Sequence, residues 1–193
     1  LSTEDLIKQT AKKLYLVEGK IKATTQDIAD AAGVNRTLVH YYFKSKDLLL
    51  QTVFLESRQE MINKLDAVLG SHLDFHQKIE NFIDTFLCYL KTMPYMQVFL
   101  ITEINKKDAD QIMMGATKMS DHTNQFLIEV QAQMDKGIIK PMAPFNFLIN
   151  LFALVSYPMI MKPMYIQAFD ISATTFEQLV VERKKMVLDL IYC

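Results

Sequence analysis

The chain has 193 residues, half of them apolar and 22% charged, with five Gly, five Pro and two Cys. At ~100–200 residues per domain this is one or two domains with a real core, and it excludes a disordered chain, a collagen-like repeat and a small disulfide scaffold. Charge is balanced at 21 basic against 22 acidic side chains, although residues 1–55 hold a local excess of eight basic over six acidic.

The apolar spacing is helical almost throughout, with no alternating strand pattern, so the chain reads as all-α. Ser2 or Thr3 caps a first helix that buries Leu6, Ile7, Ala11, Leu14 and Val17 and ends before Gly19. Thr24 or Thr25 caps a short second helix, with Asp27 placed for a reciprocal contact to Thr24, and Gly33 stops it. Asn35 caps a third helix through about Phe43. Ser45 opens a long fourth helix that ends at Gly70, and a fifth runs from about Leu73 to Lys91 before Pro94. Further helices are expected at about 95–105, 108–136, 144–157 and 174–191.

Between Pro141 and Met161 no charged residue occurs over 21 positions, close to the ~20 needed to span a bilayer. The strongly apolar core of that run, Phe145 to Val155, is only 11 residues and holds two Asn, which suits a helix buried in protein. No membrane span is expected. The start, Leu1-Ser2-Thr3-Glu4-Asp5, has neither the basic residues nor the apolar run of a signal peptide. Cys88 and Cys193 are too far apart for a CxxC motif. Both features imply a reduced, cytoplasmic protein.

Composition shifts along the chain: all twelve Met lie from Met61 onward, and eleven of twelve Phe lie beyond Phe43. A small helical head, residues 1–48, is thereby set apart from a Met/Phe-rich body, residues 49–193. In the head, the run Thr24 to Val39 reads as two short helices joined by a tight turn at Gly33. Ala29 allows close approach, and Ile28, Val34 and Val39 point inward, as a helix-turn-helix requires. The second of these helices projects Arg36, Thr37, His40 and Tyr41 from the half that meets base edges in a major groove.

The pattern Thr24-x-x-x-Ile28-Ala29-x-x-Ala32-Gly33-Val34, followed by Tyr41-x-Phe43-x-Ser45-Lys46-Asp47-x-Leu49, resembles the N-terminal signature of the TetR family of bacterial transcriptional regulators. The close likeness covers Ala11 to Leu50; the body resembles the family only in architecture. The chain departs from the usual pattern at Leu38 and His40. The resemblance implies an N-terminal three-helix DNA-binding domain, joined by a long helix to a C-terminal helical domain for ligand binding and dimerisation. It places Thr25, Tyr42 and Lys46 near phosphates, and Gln26, Arg36, Thr37, His40 and Tyr41 near bases or the adjoining backbone. The chemistry agrees: Arg36 can pair bidentately with guanine, worth about 1–3 kcal/mol of discrimination, and Lys46 begins a helix whose free N–H groups favour an anion.

Catalysis finds no support. The best cluster, His72, His76 and Glu80, shares one helix side but is not HExxH and drifts onto a solvated face, so neither a metal nor a cofactor is expected. Met and Phe at helical spacing are most often plain core, yet their softness also suits a pocket that adapts to apolar ligands. Phe82, Phe86, Tyr89, Met96, Phe99 and Met113 are candidates for its lining. For a homodimer interface, the candidates are Phe145, Leu148 and Phe152 on an all-apolar helix, with Phe176, Leu179 and Val187 on the last one. Two copies of this pair form a four-helix bundle. The expected function is a ligand-responsive regulator, a repressor released from a near-palindromic operator in double-stranded DNA by a small apolar or amphipathic effector. The alternative is a helical small-molecule carrier or enzyme with a vestigial head.

Overall fold

A computed structural model describes residues 1–104 and 120–192. In chain order the helices are α1 (Thr3–Lys12), continued by a π-helical turn (Lys13–Val17), α2 (Thr25–Ala32), α3 (Arg36–Phe43), α4 (Lys46–Leu69), α5 (Phe75–Thr92), α6 (Met96–Ile104), α7 (Asp121–Asp135), α8 (Pro144–Ile160), α9 (Lys162–Ala168) and α10 (Ala173–Ile191). Among the described residues the one extended pairing is an isolated antiparallel bridge between Ile139 and Tyr192. The fold is all-α. It packs as two compact units: Leu1–Met61 with the described residues of Thr92–Ala116, and Ile62–Lys91 with those of Thr117–Cys193. This packing boundary falls inside α4, whereas the division expected from the sequence at residue 48 falls near its start.

In the first unit, α1 packs on α2 and α3, and α6 packs on the π-helical turn. The chain departs here from the expected apolar stripe. The π turn bonds each residue to one five positions back, with Glu18 N–H donating to the Lys13 carbonyl (3.0 Å). The wider turn rotates the sequence and buries three consecutive side chains, Leu14, Tyr15 and Leu16, while Val17 and Leu6, expected inside, are exposed. A regular helix cannot aim three neighbours at one core. Phe54 of α4 meets Phe99 of α6 with ring centroids 4.7 Å apart, and the Tyr95 N–H donates to the Leu16 carbonyl (3.1 Å).

In the second unit, α8 packs against α7, α9 and α10. Its core is aromatic: Phe75 stacks on Phe126 and contacts Phe147, and Phe152 meets Phe82 and Phe86 edge-on. The buried Lys78 is satisfied by both carboxylate oxygens of Glu129 (2.7 and 2.8 Å), which is how a charge survives in a core. α7 begins at a Ser120 cap whose side chain accepts from the Thr123 N–H, so the helix expected at 108–136 is not one element. Residues 108–119 of that expectation lie outside the described residues. α9 was not anticipated at all. No single helix among the described residues is long and apolar enough to cross a membrane; α8 and α9 reach that only together, across a 54° bend.

Candidate nucleic-acid interface

The reading head is assembled by local hydrogen bonding. At the start of α2 the Thr24 side chain accepts from the Asp27 N–H, and Asp27 Oδ2 accepts from the Thr24 N–H (2.7 Å) and hydroxyl (2.8 Å). This reciprocal box satisfies donors that a bare helix end leaves open. The two bonds from Thr24, the backbone one foremost, hold the Asp27 carboxyl below its ordinary range. The Asp27 carboxylate is thereby committed to the cap. At the other end Gly33 adopts φ 66°, ψ 31°, and the Val34 N–H closes back on the Ala29 carbonyl (3.0 Å), the bonding that ends a helix in a left-handed residue. No atom lies within 4 Å of where a Gly33 Cβ would sit; the backbone conformation, not space, asks for glycine there. Ile28, Ala29 and Val39 are buried at the α2–α3 crossing, and Val34 is half-buried.

Asn35 caps α3, its Oδ1 accepting from the Thr37 N–H and hydroxyl (both 2.8 Å). From that start α3 presents Arg36, Thr37, His40, Tyr41 and Tyr42 to the outside, all exposed. Tyr41 and Tyr42 meet edge to face at 5.1 Å, a contact that stiffens both rings. The Arg36 Nε donates to the Thr25 hydroxyl (3.2 Å). That single bond positions the guanidinium between α2 and α3, and the terminal N–H fork carries no carboxylate partner among the described residues. The fork is the geometry that reads guanine O6 and N7. Gln26 is exposed on α2, its amide donating to Asp30 Oδ1 (2.7 Å), while Thr25 is half-buried at the Arg36 contact.

Lys46 is half-buried, and its Nζ donates to the Ile21 carbonyl (2.9 Å), tying the loop before α2 to the start of α4. The Ser45 hydroxyl caps α4 by accepting from the Leu48 N–H (3.1 Å). Two further cations outside the motif positions, Lys22 and Lys44, also face outward. Lys44 ends α3 at φ 61°, its Nζ bonded to the Tyr41 carbonyl (3.2 Å) and 5.8 Å from the Tyr41 ring centroid. Local spacing offered no signal for it, because positive φ at a lysine is set by the turn rather than by residue type.

The other candidates separate. Phe82, Phe86 and Tyr89 are buried in the second unit; Met96 and Phe99 are buried in the first. Met113 lies outside the described residues. Of the six interface candidates, Phe145 and Leu179 are exposed and Phe152 is half-buried, whereas Leu148, Phe176 and Val187 are buried inside the chain. His72 and His76 are exposed, and Glu80 and Asp84 face Lys184 at 3.6 and 2.7 Å. Among the described residues no group of three or more His, Cys, Asp or Glu could hold a metal.

Residues 7–53 match the family model of bacterial regulatory proteins, tetR family. An uncharacterized HTH-type transcriptional regulator of Bacillus subtilis, YhgD, is 25% identical over 150 residues, 75% of each chain. The probable acrEF/envCD operon repressor of Escherichia coli K12 is 31% identical over 117 residues, 60% of this chain and about half (53%) of that protein. The fold is shared with the tetR-family regulator PfmR of Thermus thermophilus, at a TM-score of 0.66 with 13% identity, over 97% of this chain and 96% of that one. Residues 7–53 thus carry a tetR-family DNA-binding domain, and the chain is a DNA-binding transcriptional regulator.

Proposed function

We propose that this tetR-family regulator is a repressor that binds a near-palindromic operator as a homodimer and is released by a small apolar or amphipathic effector. Residues 1–48 read DNA, and residues 49–193 carry ligand binding and dimerisation. The observation that carries the reading is the outer face of α3, where Arg36, Thr37, His40 and Tyr41 are exposed and the Arg36 fork is uncommitted. A head that had lost DNA binding has no use for an unpaired guanidinium held by one positioning bond. Arg36 then reads a base, while Thr25, Tyr42, Lys44 and Lys46 meet phosphates.

Support for the dimer comes from α8 and α10, where Phe145, Ile149, Leu179, Val181 and Leu190 are exposed, an apolar excess of the kind that marks an interface. A two-fold dimer holds two recognition helices about one DNA turn apart. The effector acts through its different affinities for the operator-bound and free forms, and through nothing else. The protein acts in the cytoplasm, by binding and not by catalysis.

Selection of DNA from a random pool by the full chain tests the reading. The expected product is an inverted repeat bound with a steep salt dependence, as counterion release demands. Recovery of no enriched sequence would point instead to a carrier that retains an idle head.

A further inference from the structure

Within the second unit a cavity of about 210 Å³ lies among α5, α8, α9 and α10. Leu87, Val155, Phe176 and Val180 form buried walls, and Leu179 and Met186 are exposed at the rim. One charged side chain lines it, Arg183. Its Nε donates to the Leu154 carbonyl (2.7 Å), and Nη1 reaches only the Met186 sulfur (3.4 Å), a weak acceptor. The second unit has three other buried or half-buried cations among the described residues, and each is paired: Lys78 with Glu129, Lys162 with Glu177, Lys184 with Asp84 and Glu80. Among the described residues Arg183 has no carboxylate within ion-pair range. A half-buried guanidinium in apolar surroundings without a counter-ion is costly, and its free Nη1–Nη2 edge has the shape that takes a carboxylate bidentately.

We propose that this cavity binds a small amphipathic carboxylate, its apolar body among Val155, Phe176 and Val180 and its carboxylate on Arg183. The proposal rests on the effector-responsive reading above and names the chemical class of that effector. Since a cavity of about 150 Å³ takes one benzene ring, this one takes a single ring or a chain of about six to eight carbons.

Calorimetric titration of the full chain with sodium octanoate and with 1-octanol at neutral pH tests it. Octanoate binds one to one, at least about ten-fold tighter than the neutral alcohol. Arg183→Gln removes that preference and leaves octanol binding unchanged; Val180→Phe, which fills the cavity, weakens both. Equal binding of the two probes by the unmodified protein overturns the proposal whatever the variants do. So does an octanoate preference that survives Arg183→Gln, or failure of both probes because a second copy's side chain occupies the cavity. Operator binding measured alongside separates the two readings. Arg183-dependent octanoate binding without operator release upholds the cavity assignment and sinks the effector role. Operator release by other compounds, with octanoate unbound, sinks the assignment alone.

Discussion

The caps that define the first 45 residues close over two to three positions: Ser2 with Asp5, Thr24 with Asp27, Asn35 with Thr37. In the second unit the polar contacts that fix the packing join residues far apart, Lys78 with Glu129 across 51 positions and Lys184 with Asp84 across 100. Short-range structure is written in residue types at fixed offsets, and a sequence displays it directly. Long-range structure depends on which faces meet, and a sequence displays only that a face exists. The head is therefore also the part that shared ancestry preserves in recognisable form, with residues 7–53 matching the family.

The sharpest way to break this comparison uses two positions on α10 that look alike in sequence. Leu179 and Val187 share one apolar stripe, yet Val187 is 0% exposed and Leu179 is 45% exposed. Val187→Glu buries an unpaired charge and should destabilise the second unit by about 4 kcal/mol or more, seen as a collapse of the thermal transition in circular dichroism. Leu179→Glu should leave the transition of the isolated chain nearly in place and convert a dimer to a monomer by sedimentation. A Leu179→Glu protein that still sediments as a dimer removes α10 from the proposed interface.

Two glycines sharpen the same comparison inside the head. Gly19 and Gly33 have nearly the same positive φ, 68° and 66°. A Cβ at Gly33 meets nothing within 4 Å, whereas at Gly19 it falls 2.5 Å from the Tyr95 ring. Gly33→Ala should cost about 1 kcal/mol, from conformation alone. Gly19→Ala should cost more, about 2 kcal/mol, because the Tyr95 ring must swing aside from a contact braced by its N–H bond to Leu16. Urea midpoints give the order; equal losses would show that the ring moves freely. The sequence showed both turns but not the ring, since Tyr95 is 76 positions away.

The reading face divides by the same logic. Arg36→Ala should relax preference at one base position per half-site, costing about 1–3 kcal/mol for the preferred operator and little for other DNA. Lys44→Ala should weaken all sequences alike and lower the salt slope by about one. Salt titrations on selected and scrambled DNA distinguish them. A uniform loss from Arg36→Ala would make it a phosphate contact.

Much of the head was legible: the caps of α1 and α2, the reciprocal Thr24–Asp27 contact, the Gly33 turn and the outward set on α3 follow from residues at fixed offsets. What escaped there was set by contacts between elements. Lys46 looks like a bare helix-start cation but is anchored on Ile21, and the π turn exchanges Val17 for Tyr15 and Leu16 in the core. In the second unit the long helices α5, α8 and α10 were legible, α9 and the start of α7 were not, and the inward sides only partly. Leu148, Phe176 and Val187 lie on apolar stripes that suit an outer interface but are core, and Arg183, which has no sequence signal beyond being one more arginine, lines the cavity.

Tyr15 gives the smallest effect and the most local one. The π turn that makes room for its ring leaves its hydroxyl buried with no hydrogen-bond partner among the described residues. Burial, with lesser help from the charges of Asp47 and Asp27, pushes its pKa up to about 12. The folded protein therefore favours the neutral phenol, a contribution fully present below the ordinary tyrosine range near pH 10 and lost as pH rises through about 12. Tyr15→Phe deletes a group that gains no bond from folding, so at pH 7 it should hold stability or raise it by about 1 kcal/mol. Between pH 10 and 12 its urea midpoint should fall less steeply than that of the unmodified protein. Tyr192, also raised to about 12 by burial and likewise without a hydroxyl partner, leaves some alkaline loss in either case. A Tyr15→Phe protein clearly weaker at pH 7 would mean that the hydroxyl is bonded in solution, and that the π turn is shaped by that bond and not only by the three side chains it buries.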